Sequence, residues 1–382
     1  MNAPTVRKVV LAAGGTGGHM FPAESLAREL RDRGVEVVLV TDRRGAGFAG
    51  DLDQVETRRI SAGGVAGGSL AKRLRGLFAL ALGLLQARRL MAGLDADAVV
   101  GFGGYASVPT VLAGSWAGLR VVLHEQNAVA GRANRLLAGR AHAIATCFAR
   151  VAGLDEADLR KTRRTGNPVR PEIAAAGAQP YAAPRAEDDI HLLVVGGSQG
   201  AAVFNDMIPA AVRRLPETLR GRLVVAQQVR GDALPAVEEA YRACGVRAEL
   251  AGFFDDVPRR LAEAHLVICR AGASTVAELA GAGRPAILVP YPHAVDDHQR
   301  ANAAALAEAG AGWVMPQDSL DPDALAAKLR TLFADPEALA RAAAAAGRFA
   351  PSECARSLAD LVCGAANDNG EREGRETREA AA

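Results

Sequence analysis

Val9-Val-Leu-Ala-Ala-Gly14-Gly-Thr-Gly-Gly-His19 decides how this chain folds. The apolar run is too short for a helix, ends in glycines, and leads into a helical pattern with Pro22 and Glu24 in its first turn. That succession is one step of a parallel sheet: strand, tight turn, helix. Glycines let backbone N–H groups approach an anion closely, and the helix start adds partial positive charge, so the loop is built like a diphosphate site. A βα turn without a ligand uses the same residues, and the loop alone leaves both readings open.

The step repeats. Short β-branched runs at 6–12, 35–41, 98–101, 121–124 and 143–147, then at 191–195, 223–227, 248–251, 266–269 and 286–290, each lead through a turn into a helical pattern. Such alternation predicts parallel sheets. A second loop, Gly196-Gly-Ser-Gln-Gly200, opens the second set as the first loop opens the first. Between them, Thr165-Gly-Asn-Pro-Val-Arg-Pro171 and an Ala/Pro-rich stretch to 189 have linker composition. The expected division is 1–168, 169–346, a last amphipathic helix at 347–363 that packs back toward the first domain, and a polar, disordered tail at 364–382. The fold class is α/β: two doubly wound, parallel-sheet domains with a ligand cleft between them, because such sheets bind at the carboxyl ends of their strands.

Composition removes several classes. The 382 residues suit two domains, at about 150 residues each. Lys+Arg 45 against Asp+Glu 43 leaves +2, too balanced for a protein that coats nucleic acid. No uninterrupted apolar run approaches the roughly 20 residues that cross a bilayer. The five-residue run at 9–13 is too short for a signal peptide, which predicts a cytosolic protein. Cys147, Cys244, Cys269, Cys354 and Cys363 form no CxxC or Cys/His cluster, arguing against a disulfide framework and a zinc site.

Two nucleotide readings compete for these phosphate-type loops. Asp42 stands where the ribose-binding acid of a dinucleotide fold would be, but GxGxxG spacing counted from Gly15 ends on Met20. Gly101-Phe-Gly-Gly-Tyr-Ala106 fits GxGxxA after the wrong strand, and no P-loop lysine follows Gly200. Three Asp-x-Asp pairs, at 51–53, 95–97 and 321–323, could hold a divalent ion under a diphosphate. None follows a cleft-side strand, so they read as turns.

The polar clusters sit at strand ends. His19 abuts the first loop, where a helix start favours the neutral imidazole a general base needs. His124-Glu-Gln-Asn127 follows an apolar strand, with side chains suited to sugar hydroxyls or to capping a helix. Arg270-Ala-Gly-Ala-Ser-Thr-Val-Ala-Glu278 offers small residues at a helix start, with Glu278 a turn further in to meet a ribose diol. Asp296-Asp-His-Gln-Arg-Ala-Asn302 places polar groups along one helix face, suited to sugar hydroxyls. Singly, these are ordinary N-caps and solvated faces.

Taken in order, GGTGGH at 14–19, GFGGYAS at 101–107, HEQN at 124–127, GNPVR at 166–170, GGSQG at 196–200 and RAGASTVAE at 270–278 resemble the MurG family of glycosyltransferase family 28. The resemblance implies a GT-B fold of two Rossmann-like domains. It implies inverting transfer of N-acetylglucosamine from UDP-N-acetylglucosamine to the C4 hydroxyl of lipid I, forming lipid II for peptidoglycan. Donor contacts implied are Thr16, Gly17, Gly18, Asn127, Arg170, Ser198, the Phe254 backbone, Ala273, Ser274, Thr275, Val276, Glu278 at the ribose and Gln299 at the sugar. The acceptor side falls to Gly14, Gly15, Gly103, Gly104, Tyr105, His124 and Asn134. His19 is the first choice of base and Glu125 the second. No metal or other cofactor is expected, because helix N-termini and Arg170 can meet the diphosphate's charge. The alternatives are another GT-B glycolipid glycosyltransferase, a UDP-sugar epimerase, or a binding protein without turnover.

One charge asymmetry points to a membrane surface. Residues 57–94 carry seven basic residues and no acid. Within them Lys72, Arg73, Arg75, Arg88 and Arg89 flank an apolar segment from Leu77 and Phe78 to Leu85. This suits a helix against anionic headgroups, each basic residue worth about 1 kcal/mol, and equally a buried helix with solvated ends. The resemblance places it at the cytoplasmic face of the inner membrane, as a peripheral protein with cell-envelope and division proteins as further partners.

Overall fold

A computed structural model of the chain describes residues 6–14, 17–43, 55–63, 69–197, 200–351 and 353–364. Gly15, Thr16, Ser198, the 51–53 acidic pair and the tail from 365 onward lie outside them, as does the side chain of Lys72. The chain forms two compact units: 1–126, 130–168 and 353–382 in the first, 127–129 and 169–352 in the second.

The first unit is built on seven parallel strands: β1 (Lys8–Ala12), β2 (Glu36–Thr41), β3 (Glu56–Arg59), β4 (Ala98–Gly101), β5 (Arg120–Glu125), β6 (Ala143–Thr146) and β7 (Thr162–Arg164), in the order β3-β2-β1-β4-β5-β6-β7. The second has six, also parallel: β8 (Ile190–Val195), β9 (Leu223–Gln228), β10 (Arg247–Ala251), β11 (Leu266–Cys269), β12 (Ala286–Leu288) and β13 (Gly312–Val314), ordered β10-β9-β8-β11-β12-β13. Central strands are apolar on both faces because helices cover both. Val9 and Leu11 pack on one side of β1, Val10 and Ala12 on the other. In each sheet the order reverses beside the first strand, where β1 meets β4 and β8 meets β11. The glycine loops therefore leave from the switch points at which such sheets take ligands.

Three strands escape the sequence pattern. Glu-Thr-Arg-Arg of β3 and Thr-Arg-Arg of β7 are edge strands rich in charge, and Gly-Trp-Val of β13 is three residues long. Charged, short edges discourage pairing with other chains, and for that reason carry no strand signature. The last helix starts later than expected. Residues 336–349 form a helix of the second unit, Pro351 follows, and Cys354–Cys363 is a separate helix of the first unit. Proline lacks the N–H and clashes with the preceding turn, so one helix cannot run through 347–363. Leu358, Ala359 and Val362 are buried with the core under the Gly17–Asp32 helix, and Arg33 donates to Asp360 Oδ1 at 2.6 Å and to the Arg356 carbonyl at 3.2 Å.

Close helix packing in the second unit depends on two glycines. A Cβ on Gly177 would lie 1.9 Å from the Gly281 carbonyl oxygen, and one on Gly281 would press on Val169 and Ile173. Gly177→Ala should therefore lower stability by about 1–3 kcal/mol, the usual cost of overpacking. Gly93, where a Cβ meets nothing within 4 Å, is the control. Gly93→Ala should hold or raise the melting temperature, since alanine is the better helix former by about 1 kcal/mol. Calorimetry of the two variants checks both signs.

Candidate active site

The first unit gathers its candidates at the carboxyl ends of β1, β4 and β5. Gly103 and Gly104 adopt φ of +89° and +76°, a region that glycine enters without strain. Their missing side chains make room for His19, in the first turn of the Gly17–Asp32 helix: a Cβ on Gly103 would stand 3.3 Å from its Cε1, and one on Gly104 3.4 Å from its Cδ2. Gly14 faces the same turn, 3.6 Å from Gly104 Cα by the same measure. The glycine loops and His19 are thus one constellation. Gly17, Gly18 and the half-buried Tyr105 border it.

His124, Glu125 and Gln126 correct the expectation that the HEQN side chains face a ligand, for all three are buried. Gln126 Nε2 lies 2.9 Å from His124 Nδ1 and donates to the Phe102 carbonyl at 3.0 Å. An amide nitrogen only donates, so Nδ1 accepts and the proton sits on Nε2, which donates to the Gly166 carbonyl at 3.2 Å. Burial pushes the His124 pKa down to about 4. Glu125 Oε2 accepts from the Gly131 N–H and from Asn134 Nδ2, each at 2.8 Å, and Asn134 Nδ2 also donates to the His124 carbonyl at 3.1 Å. The physical reason is position. β5 is interior to its sheet, and residues 130–137 and 165–167 close over its end, so the polar atoms bond inward. His124 and Glu125 support the strand end. The Asn134 Oδ1 atom, also buried, has no partner among the described residues.

In the second unit the Ala273–Ala282 helix is capped only by the backbone of Gly272, with no acid in its first turn. Its opening amides are available to an anion, and the buried Ser274 Oγ beside them lacks a partner among the described residues. Val276 is core. Glu278 lies 3.4 Å from Arg170 Nη2; burial raises its pKa and Arg170 opposes the rise. Gln299 Oε1 accepts from the Tyr291 N–H at 2.9 Å and the Ala271 N–H at 3.2 Å. Both partners donate, which fixes the amide orientation and leaves Nε2 as the outward donor. Phe254 is buried under the Arg260 guanidinium, 4.0 Å from its ring centroid, so its side chain is spent on packing.

Asn302 is a residue the sequence placed on a sugar-facing helix side and the structure buries. Its Oδ1 accepts from Ala128 N–H at 2.8 Å, and Nδ2 donates to Asn127 Oδ1 and to the Ala271 carbonyl, both at 3.0 Å. Among the acidic pairs, Asp97 accepts from the Arg7 and Lys8 N–H groups, and Asp321 caps the Pro322–Phe333 helix. Among the described residues no group of His, Cys, Asp and Glu is arranged for a metal ion. Asp42 is buried.

The basic, apolar segment is a helix, Leu70–Leu94. Gly76, Gly83, Ala87 and Met91 face inward, and Gly83 admits the Ser61 carbonyl to 1.9 Å of where a Cβ would be. Leu74, Leu77, Phe78 and Leu85 are exposed, Phe78 at 72%, together with Arg73, Arg75, Arg88 and Arg89. Trp116 adds an exposed ring with Arg88 at 5.6 Å. Arg73–Leu94 has a mean hydropathy of 1.4, long and apolar enough by composition to cross a membrane. The expectation of no such segment counted uninterrupted runs, which the arginines break.

Residues 9–146 match the glycosyltransferase family 28 N-terminal domain and residues 191–358 the family 28 C-terminal domain. The chain belongs to glycosyltransferase family 28. It is 55% identical over 358 residues, 94% of each chain, to the UDP-N-acetylglucosamine–N-acetylmuramyl-(pentapeptide) pyrophosphoryl-undecaprenol N-acetylglucosamine transferase of Rhodospirillum centenum. To the enzyme of the same name from Paramagnetospirillum magneticum it is 55% identical over 356 residues, 93% of this chain and 96% of the other. The crystal structure of Acinetobacter baumannii MurG superposes with a TM-score of 0.76 at 31% identity, covering 93% of this chain and 99% of that one. This family-28 chain has the GT-B fold of two Rossmann-like parallel-sheet units.

The buried imidazole of His124 has a pH consequence. It is neutral when folded and binds a proton on unfolding between its usual 6.5 and about 4, so its contribution to stability is present above 6.5 and is lost as pH falls toward 4. The loss is at most about 1.4 kcal/mol per pH unit. Calorimetric unfolding of His124→Gln from about pH 7 to about pH 4.5 should show a flatter acid limb than the unsubstituted chain, and equal slopes would count against it.

Proposed function

We propose that this family-28 enzyme moves N-acetylglucosamine from UDP-N-acetylglucosamine to the C4 hydroxyl of the muramyl sugar in lipid I, giving lipid II for peptidoglycan. The observation that carries the reading is 55% identity, spread over 94% of both chains, to an enzyme named for that transfer. The donor belongs to the second unit. Its diphosphate lies at the start of the Ala273–Ala282 helix with Arg170 near, its ribose on Glu278, its uracil on the Phe254 backbone, and its sugar on Gln299 and Asn127. Partial positive charge at the helix start and the Arg170 guanidinium stabilise the departing diphosphate without a metal ion.

The acceptor belongs to the first unit, around Gly14, Gly103, Gly104, Tyr105 and Asn134. His19 takes the proton from the attacking hydroxyl while the anomeric carbon–oxygen bond to UDP breaks. Glu125 ranks behind it because Oε2 already accepts two hydrogen bonds in the resting chain. The Leu70–Leu94 helix lies on the anionic, cytoplasmic face of the inner membrane, arginines on headgroups and Phe78 in the acyl boundary. There the enzyme serves cell-envelope growth and division.

His19→Ala should lower kcat for transfer to a lipid I analogue by about 10²- to 10⁴-fold with little change in the KM for donor. Glu278→Gln should instead raise the donor KM, by about 10- to 100-fold, because one of the two carboxylate oxygens that accept from the ribose diol becomes a donor and the charge opposite Arg170 is lost. Steady-state assays with labelled UDP-N-acetylglucosamine read both, and absence of any transfer by the unsubstituted enzyme refutes the reading. Phe78→Glu should release the enzyme from phosphatidylglycerol vesicles in cosedimentation, while phosphatidylcholine vesicles should bind neither form. Unchanged sedimentation would sink the membrane assignment.

A further inference from the structure

Arg270 is a buried cation, 7% exposed, that the reaction as described leaves unused. Among the described residues no carboxylate forms an ion pair with it. Its Nη1 donates to the Val289 carbonyl at 3.1 Å and the Pro290 carbonyl at 3.2 Å, and its Nη2 donates to Gln317 Oε1 at 2.6 Å. The guanidinium lies near two rings, 5.2 Å from the Phe204 centroid and 5.5 Å from that of Tyr291. A buried charge is costly, so an arginine spent on backbone carbonyls fixes something that a neutral side chain would hold less firmly.

What it fixes is adjacent. The two N–H groups that hold Gln299 Oε1 belong to Ala271, the residue after Arg270, and to Tyr291, the residue after Pro290, whose carbonyl Arg270 binds. The fork thus ties the ends of β11 and β12 together at the two points from which Gln299 is gripped. A guanidinium is planar and donates in fixed directions, which a lysine does not reproduce.

We infer that Arg270 is a positioning residue for donor-sugar selection, acting through the Ala271 and Tyr291 amides to aim Gln299 Nε2 at the sugar. This rests on the assignment of Gln299 to the donor's sugar. Arg270 touches no ligand itself. Its effect therefore belongs to recognition of the sugar and not of UDP.

The test uses the full-length enzyme, with Arg270→Lys as the main variant and Gln317→Met, which removes one arm without disturbing a buried charge, as the second. Arg270→Lys should raise the KM for UDP-N-acetylglucosamine about tenfold, one well-placed hydrogen bond's worth. Gln317→Met should move it the same way by less, and discrimination against UDP-N-acetylgalactosamine should fall in both. Inhibition by UDP alone should stay within about twofold of the parent. In the Arg270→Lys/Gln299→Ala double variant the two effects should not add, because both act on one contact. Loss of UDP affinity in step with the donor KM, or additive effects, would mean a general structural role and overturn the inference alone. If Gln299→Ala leaves donor KM and sugar discrimination untouched, the assignment of Gln299 fails and the inference falls with it.

Discussion

Parallel strands deliver all their carboxyl ends to one edge of a sheet, and the chemistry of this chain is mounted on two such edges. β1, β4 and β5 end at Ala12, Gly101 and Glu125; β8, β11 and β12 end at Val195, Cys269 and Leu288. Each edge must accommodate helix starts with unpaired N–H groups and loops whose backbone is crowded. Glycine relieves the crowding where φ is positive, at Gly103 and Gly104, and an open helix start is left where Gly272 caps with backbone alone. Helix starts with open amides, the feature on which an anion site is proposed, follow from the architecture before any particular side chain is considered.

Side chains at these edges divide into those proposed to meet ligands and those whose hydrogen bonds are all made within the chain. His124, Gln126, Glu125 and Asn134 form a connected set of buried hydrogen bonds at the end of β5, and Asn302 and Arg270 do comparable work in the second unit. Buried polar groups are costly unless bonded and rigid once bonded. His19 and Gln299, which retain exposure, stand beside these bonded groups. Glu278 combines both characters: burial raises its pKa, Arg170 opposes that rise, and the carboxylate remains beside the helix start.

The Leu70–Leu94 helix answers a different constraint. A soluble surface helix turns a broad apolar face inward, whereas this one packs through small residues such as Gly83 and Ala87 and leaves leucines and Phe78 outward between arginines. That inversion fits the boundary between water and lipid headgroups, where apolar and basic side chains are both favoured.

Local sequence by itself determined the strand-turn-helix rhythm, nine interior strands with the edge strand β10, and the motifs that place the chain in family 28, because glycine spacing and apolar runs act over a few residues. It could not show β3, β7 or β13, whose short or charged edges lack any pattern, nor the break at Pro351 that confines the last helix to Cys354–Cys363. Only tertiary structure decided which polar residues face inward. His124 and Asn302 read as sugar ligands in a linear motif, but whether a side chain meets water, a ligand or a backbone carbonyl depends on what packs over it. Those covering residues, Gly166 for His124 and Ala128 for Asn302, lie far away along the chain.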